Sequence, residues 1–504
     1  MPLVLYYLAP SPPARTVNLI VHALDLPVEY KTVDLFKKEH LAPEFLKLNP
    51  LHTVPVIDDD GFILWESRAI ITYLVSKYGK DDSLYPKDLQ KRAIVDQRLH
   101  FSNDVFYVIR QLTGGIALRN EAPTPELIEK VKVVQENIEK LLTGNKFMAG
   151  DTLTVADYSF ITLVDLVEVY CPPDGKFPLT KQWVSRCQSS MKDFEKANKE
   201  GSEIIVNVVQ NFISKTRRKC TSIFSLTRLY TLYLSLSLLS LYLSVKVGYQ
   251  TYQPRLDNHP ISPSWRPSLQ LTTHLQQQPL FHKVVCLKET MPLTLYYAEV
   301  SPPVRSVDLV IHALGLSAEH KDINLFEKET RTPEYLKVNP LHTIPAIDDN
   351  GFILWGSQAI NTYLVSKYGK DDSLYPKDLQ KRAIVDQRLH YSNDVFYVLK
   401  QSTVALLFFK QQPSAELLSK IRETQENVEK LLTGQKFMAG DSLTLADYSY
   451  ITYMDILEVY CPAGNRLPLT KQWQERCKST MKDFDKVNKN GANQLCTAIK
   501  QVLT

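Results

Sequence analysis

The sequence predicts an α/β plus all-α protein written twice: a domain of element order βαβαββα followed by an all-helical domain, then the same pair again. Three observations predict it. LYY at 5 to 7 returns at 295 to 297, SPP at 11 returns at 301, and NPLHT at 49 returns at 339, always offset by 290 residues. Short runs of strand period alternate with helical runs up to about residue 82. After Pro86 the pattern is helical throughout, with apolar residues near i, i+3, i+4 and i+7.

Within one copy, LVLYY at 3 to 7 reads as a short buried strand. SPPARTVNLIVHAL reads as a helix with prolines in its first turn, where a missing N–H costs nothing, so Ser11 falls at a helix N-terminus. VEYKTVDL is expected as a strand and APEFLKLN as a helical segment. VPVID and FILW pair around the turn DDDG, and SRAIITYLVSKYG forms a helix ended by Gly79. The helical half begins with DLQKRAIVDQRLHFSNDVFYVIRQL, for which Gly114-Gly115 is expected as a break, and continues with PELIEKVKVVQENIEKLL. Thr154 and Asp157 fit a capping box, with Leu153 and Tyr158 as its hydrophobic staple, and Thr444, Asp447, Leu443 and Tyr448 repeat it.

The 29 residues from Thr72 to His100 recur unchanged from Thr362 to His390, and Thr504 corresponds to Ser214. The expected domains are therefore 1–82 (α/β) and 88–214 (helical), then 291–372 and 378–504 in the second copy. Residues 215–290 belong to neither copy. They contain 17 uncharged residues from Leu229 to Val245, just short of a bilayer span, with five Ser or Thr among them, and then a Pro/Gln/Ser-rich stretch. A linker, possible membrane helix or junction of two adjacent genes all fit, and the linker reading needs no membrane.

Composition narrows the function classes. With 44% hydrophobic residues the chain has the material for several cores, which excludes a disordered or collagen-like protein. A formal charge of +4 over 504 residues is too small to suggest a nucleic-acid partner. Seven cysteines without a CxxC suit a reducing compartment, and the N-terminal stretch, broken at Pro10 and without a basic flank, is not expected to be a secretory signal. The cytoplasm is the expected location, and no metal site is expected.

The S-P-P, N-P-L-H-T-V-P and E-S motifs, in this order in a small α/β domain followed by helices, resemble the cytosolic glutathione transferases over about 430 residues. SKYGKDDSLYPKDLQKRAIVDQRLHF is particularly similar to the insect epsilon class, with the delta class second. The resemblance implies a thioredoxin-like fold for each α/β domain. It also implies glutathione as co-substrate, hydrophobic electrophiles such as xenobiotics, lipid peroxidation aldehydes and insecticides as second substrates, and pairing either as a homodimer or between the two copies of one chain.

By resemblance, Ser11 and its counterpart Ser301 take the catalytic position. Physically, a hydroxyl at a helix N-terminus donates to sulfur while the dipole favours an anion, which lowers a thiol pKa toward neutrality. A simple N-cap is the alternative for Ser11, and Tyr6 and Tyr7 are rival hydroxyls on the strand. Val54-Pro55 and Ile344-Pro345 match the family's cis-proline corner, where the preceding residue presents its backbone to the tripeptide. Glu66 would take the γ-glutamyl ammonium and Ser67 or Ser357 its carboxylate, with Arg68 assisting. His40, His52 and His342 would lie near the glycyl end.

Copy two keeps Ser301, His342, Ile344, Pro345 and Ser357, but Glu66 becomes Gly356, Arg68 becomes Gln358 and His40 becomes Thr330. Losing a charged partner typically costs about 1.5 to 3 kcal/mol, so copy two is expected to bind glutathione weakly. The electrophile pocket is expected between the domains, with Phe106, Tyr107 and Arg110 in copy one and Phe396 and Tyr397 in copy two. Val404-Ala405 and the following Leu406, Leu407, Phe408 and Phe409 are expected to make the second pocket greasier. A non-catalytic carrier of hydrophobic ligands and an interaction module of the same fold are the competing classes of function.

Overall fold

A computed structural model describes residues 2–221 and 293–503. Copy one opens with β1 (Leu3–Tyr7), α1 (Pro12–Ala23), β2 (Val28–Thr32), α2 (Pro43–Leu48), β3 (Val56–Asp59), β4 (Phe62–Trp65) and α3 (Ser67–Tyr78). Its sheet runs β2-β1-β3-β4, with β1 parallel to β2 and antiparallel to β3. The helical half comprises α4 (Leu89–Arg119), α5 (Pro125–Leu142), α6 (Val155–Tyr170), α7 (Pro178–Ser190), a π-helical turn at Glu195–Lys199, and α8 (Glu200–Thr221).

Copy two repeats this as β5 (Leu293–Tyr297), α9 (Pro302–Leu314), β6 (Ala318–Asp322), α10 (Pro333–Val338), β7 (Ala346–Asp349), β8 (Phe352–Trp355) and α11 (Ser357–Tyr368). Then follow α12 (Leu379–Phe409), α13 (Ala415–Leu431), α14 (Leu445–Tyr460), α15 (Pro468–Thr480) and α16 (Asn490–Leu503). Each copy is thus a thioredoxin-like sheet followed by a helical domain.

One local expectation is corrected. Helix α4 runs unbroken through Gly114-Gly115 to Arg119 and ends at left-handed Asn120, where the Glu121 N–H reaches the Gly115 carbonyl at 2.9 Å. Burial of the flanking Leu112 and Ile116 outweighs the cost of about 1 kcal/mol for each helical glycine. Gly79 ends α3 as expected, with φ −61°; a Cβ there would sit 2.5 Å from the Val75 carbonyl oxygen, so the position needs the space. Helix α8 extends to Thr221. The apolar stretch at 229–245 lies outside the described residues, and among those described no helix is long and apolar enough to cross a membrane.

Both capping boxes form. Buried Asp157 accepts from the N–H of Met148 at 2.8 Å and of Thr154 at 2.9 Å, and from Trp183 Nε1 at 2.8 Å. Asp447 does the same with Met438, Thr444 and Trp473. Each helical half is therefore pinned by one carboxylate at the start of its central helix.

The two copies pack as one compact unit, residues 1–212 with 291–504. Helix α4 lies against α11 and β8, and α12 lies against α3 and β4. Polar groups cross this seam in matched pairs: Gln97 Nε2 donates to the Trp355 carbonyl at 2.9 Å, and Gln387 Nε2 to the Trp65 carbonyl at 3.0 Å.

Candidate active site

Ser11 stands at the N-terminus of α1 with extended backbone and Pro12 and Pro13 behind it, and its hydroxyl makes no capping hydrogen bond. Ser301 is placed identically. The hydroxyl is therefore not spent on the helix, and Ser11 is not a simple N-cap. The loop is fixed instead by its backbone: the Ser11 N–H reaches the Leu8 carbonyl at 2.9 Å. Gly201 of α8 comes so close that a Cβ there would lie 2.1 Å from the Ala9 carbonyl oxygen.

The rival tyrosines are engaged in packing. Tyr6 meets Phe45 edge to face, Tyr7 meets Tyr30, and burial pushes the Tyr7 hydroxyl up to about 12. Tyr7 lines a cavity of about 650 Å³ together with Ala9, His22, Tyr30 and Gly201.

Val54-Pro55 and Ile344-Pro345 are both cis. His52 precedes the first corner with φ 49°, and its ring lies 6.0 Å from that of His40, which a short 3₁₀ turn at Glu39–Leu41 presents. Burial lowers the pKa of both imidazoles, with Lys430 of copy two adding to the effect at His52. His40 Nδ1 is buried without a hydrogen-bond partner. In copy two the corresponding pair is Thr330 and His342.

The sharpest difference lies where α3 and α11 begin. Glu66 adopts φ 75°, a left-handed conformation that is costly for a residue with a side chain. Arg68 is fully buried and donates from Nε to Ser102 Oγ at 2.7 Å and from Nη2 to the Ser102 carbonyl at 2.9 Å. Its Nη1 reaches Glu66 Oε1 and Ser67 Oγ, both at 3.4 Å. Ser67 Oγ thus accepts from Arg68 and retains its own proton for donation. In copy two, Gly356 holds the same turn at φ 89°, and Ser357 gives its hydroxyl proton to Gln358 Oε1 while Gln358 Nε2 donates to Ser392 Oγ at 2.9 Å. The second serine's donor is already spent, and a carboxylate and a guanidinium are missing beside it.

Of the aromatic residues expected at an electrophile pocket, Phe106 has the Arg68 guanidinium over its ring at 5.8 Å. Tyr107 and Tyr397 meet each other across the seam with centroids 3.7 Å apart, and Phe396 stacks on Tyr453. Arg110 pairs with Asp394 of copy two at 3.8 Å. Phe408 stacks on Phe326 at 5.4 Å, and both are exposed, as is Phe409.

Sequence reasoning missed the seam residues. Asp394 sits close enough to feel Arg110, Glu66 and Arg68, and burial pushes its carboxyl up to about 6. Gln97, Ser102 and Asn103 are buried polar residues on one long helix. The partners of Asp394, Gln97 and Asn103 lie in the other copy, so no local pattern marked them.

The α/β domains match the glutathione S-transferase N-terminal domain over 5–82 and 295–372, and the helical domains match the C-terminal domain over 104–190 and 390–480. Glutathione S-transferase 1 of Manduca sexta is 42% identical over 219 residues, which is 42% of this chain and all of that protein. Among solved structures, an epsilon-class glutathione S-transferase from the housefly Musca domestica is 46% identical, covering 42% of this chain and 98% of that one, with a TM-score of 0.40. A glutathione transferase homologue from Drosophila mojavensis with bound glutathione is 39% identical, covering 42% and 97%, with a TM-score of 0.40.

Proposed function

This chain belongs to the glutathione S-transferase family, and we propose that its first copy conjugates the glutathione thiolate to small hydrophobic electrophiles while its second binds glutathione weakly. The observation that carries the reading is the contrast between Glu66, Ser67 and Arg68 on one side and Gly356, Ser357 and Gln358 on the other. In copy one a γ-glutamyl carboxylate meets a free hydroxyl proton at the start of a helix, where the dipole favours an anion. The Glu66 carboxylate is the group for the ammonium. The Val54 backbone at the corner suits the cysteinyl peptide unit, and neutral His52 and His40 suit the glycyl end.

Ser11 then holds the sulfur. Its uncommitted hydroxyl and the α1 N-terminus both stabilise the thiolate over the thiol. Attack forms a carbon–sulfur bond as the leaving group departs with its electron pair. Phe106 is proposed as an apolar wall on the electrophile side. Tyr107 and Arg110, and Phe396 and Tyr397 of copy two, complete the proposed set from the seam and the adjoining core. The division into domains at 1–82, 88–214, 291–372 and 378–504 is part of the same reading, as are a cytosolic location and a role against xenobiotics, including insecticides.

Steady-state conjugation by the full chain with Ser11→Ala and with Ser301→Ala tests this. The expected result is a loss of turnover of about tenfold or more for Ser11→Ala and little change for Ser301→Ala. Equal losses would assign activity to both copies. No loss from either would leave a carrier of hydrophobic ligands as the better description.

A further inference from the structure

We propose that α12 of copy two is a built-in support for the active site of copy one, with Gln387 as a positioning residue that fixes the Trp65–Glu66 turn. The inference rests on copy one being the active copy. Three side chains of α12 surround Trp65. Gln387, buried, donates to its carbonyl at 3.0 Å; the Arg388 guanidinium lies over its ring at 5.0 Å; and Tyr391 meets it edge to face at 6.1 Å. Arg388 also donates to Gln387 Oε1, which orients the amide so that its nitrogen faces Trp65.

The peptide that accepts from Gln387 is the one that joins Trp65 to Glu66. Glu66 holds its left-handed φ of 75° against its own side chain, and such a conformation persists only where the surroundings over-determine it. The α12 cage supplies that determination from outside copy one. Without it, Glu66 relaxes toward a right-handed or extended backbone and its carboxylate leaves Arg68.

The mirrored contact makes an internal control. Gln97 donates to the Trp355 carbonyl at 2.9 Å, with Arg98 over the Trp355 ring and Phe101 at its edge. The residue after Trp355 is Gly356, for which φ 89° needs no support. Two contacts of the same geometry therefore serve different ends: one holds a strained anchor and the other holds a glycine. On this view copy two, short of its own anchors, is retained in the fold for what it does to its neighbour.

The test compares Gln387→Met with Gln97→Met in the full chain, by steady-state conjugation with glutathione as the varied substrate and by thermal unfolding. Both variants should lower Tm by similar amounts, since each orphans one buried carbonyl. Gln387→Met should raise KM for glutathione about fivefold or more with kcat within about twofold, and Gln97→Met should leave both unchanged. Equal KM changes in the two variants, or none in either, would refute the positioning role while Ser11→Ala still abolished turnover. A KM change in Gln97→Met alone, with turnover surviving Ser11→Ala, would instead locate the active site in copy two and overturn the functional reading. Gln387→Asn and Gln97→Asn, whose amides are too short to reach, serve the same comparison if the methionine variants do not fold.

Discussion

His100 and His390 stack across the seam with ring centroids 4.2 Å apart and planes 24° from parallel. Each Nδ1 faces the side-chain amide of an asparagine from the other copy, Asn393 at 3.0 Å and Asn103 at 3.1 Å. The amide nitrogens donate, so both imidazoles accept at Nδ1 and are neutral. Burial, with Arg68 nearby, lowers His100 to about 3, and burial and His100 lower His390.

A histidine whose folded pKa lies below its unfolded value of about 6.5 binds protons in the unfolded chain first, so its contribution to stability falls as pH drops from about 6.5 toward 3. Three seam carboxyls act in the opposite sense: Asp96 and Asp394 are raised to about 6 and Asp386 to about 7, chiefly by loss of solvation. The histidine contribution is isolated by comparing the parent chain with a His100→Phe, His390→Phe variant. The parent should lose stability relative to the variant by up to about 1.4 kcal/mol per pH unit per histidine between pH 6 and 4. Parallel unfolding curves across that range would show that the pair does not carry this dependence.

Ser11→Ala should leave stability within about 0.5 kcal/mol of the parent. Removing an N-cap typically costs about 1 kcal/mol, but the Ser11 hydroxyl makes no capping bond. A loss of the full amount in denaturant unfolding would return Ser11 to the role of a cap.

Gly356→Glu combined with Gln358→Arg should create a second glutathione site. A Cβ at Gly356 meets nothing within 4 Å, so the space exists. The left-handed backbone costs the new glutamate about 1 to 2 kcal/mol, but the introduced arginine supplies its partner and frees the Ser357 hydroxyl from Gln358. Equilibrium binding should strengthen at copy two by about tenfold or more; unchanged binding would place the defect elsewhere, with Thr330 the next candidate.

Asp157→Ala should destabilise the chain by about 3 kcal/mol or more, because it orphans the buried Met148 N–H and Trp183 Nε1 as well as the α6 cap. Asp151→Ala, at an exposed position a few residues away, should be near neutral. Equal effects in thermal unfolding would contradict the pinning role given to the capping box.

The parts legible in the sequence are those marked by neighbours in the chain, by the internal repeat or by the family's motifs. The strand and helix order and the capping box at Thr154 follow from local pattern, the 290-residue repeat from comparing the sequence with itself, and the corner at Val54-Pro55 from the family resemblance. Gly114-Gly115 misled because local propensity reads a break where burial of Leu112 and Ile116 maintains a helix. Gln97, Asn103, Gln387 and Asp394 were not legible, because their partners lie in the other copy, 258 residues away for Gln97 and 322 for Gln387, and buried polar residues leave no periodic trace. The three anchor replacements in copy two were visible, but the loss of the Ser357 donor to Gln358 needed the geometry.

Calorimetric titration of the intact chain with glutathione tests the central claim most directly, through the number of sites per chain. About one site is the predicted result, set by Glu66, Ser67 and Arg68 in copy one; two sites of equal affinity would contradict it.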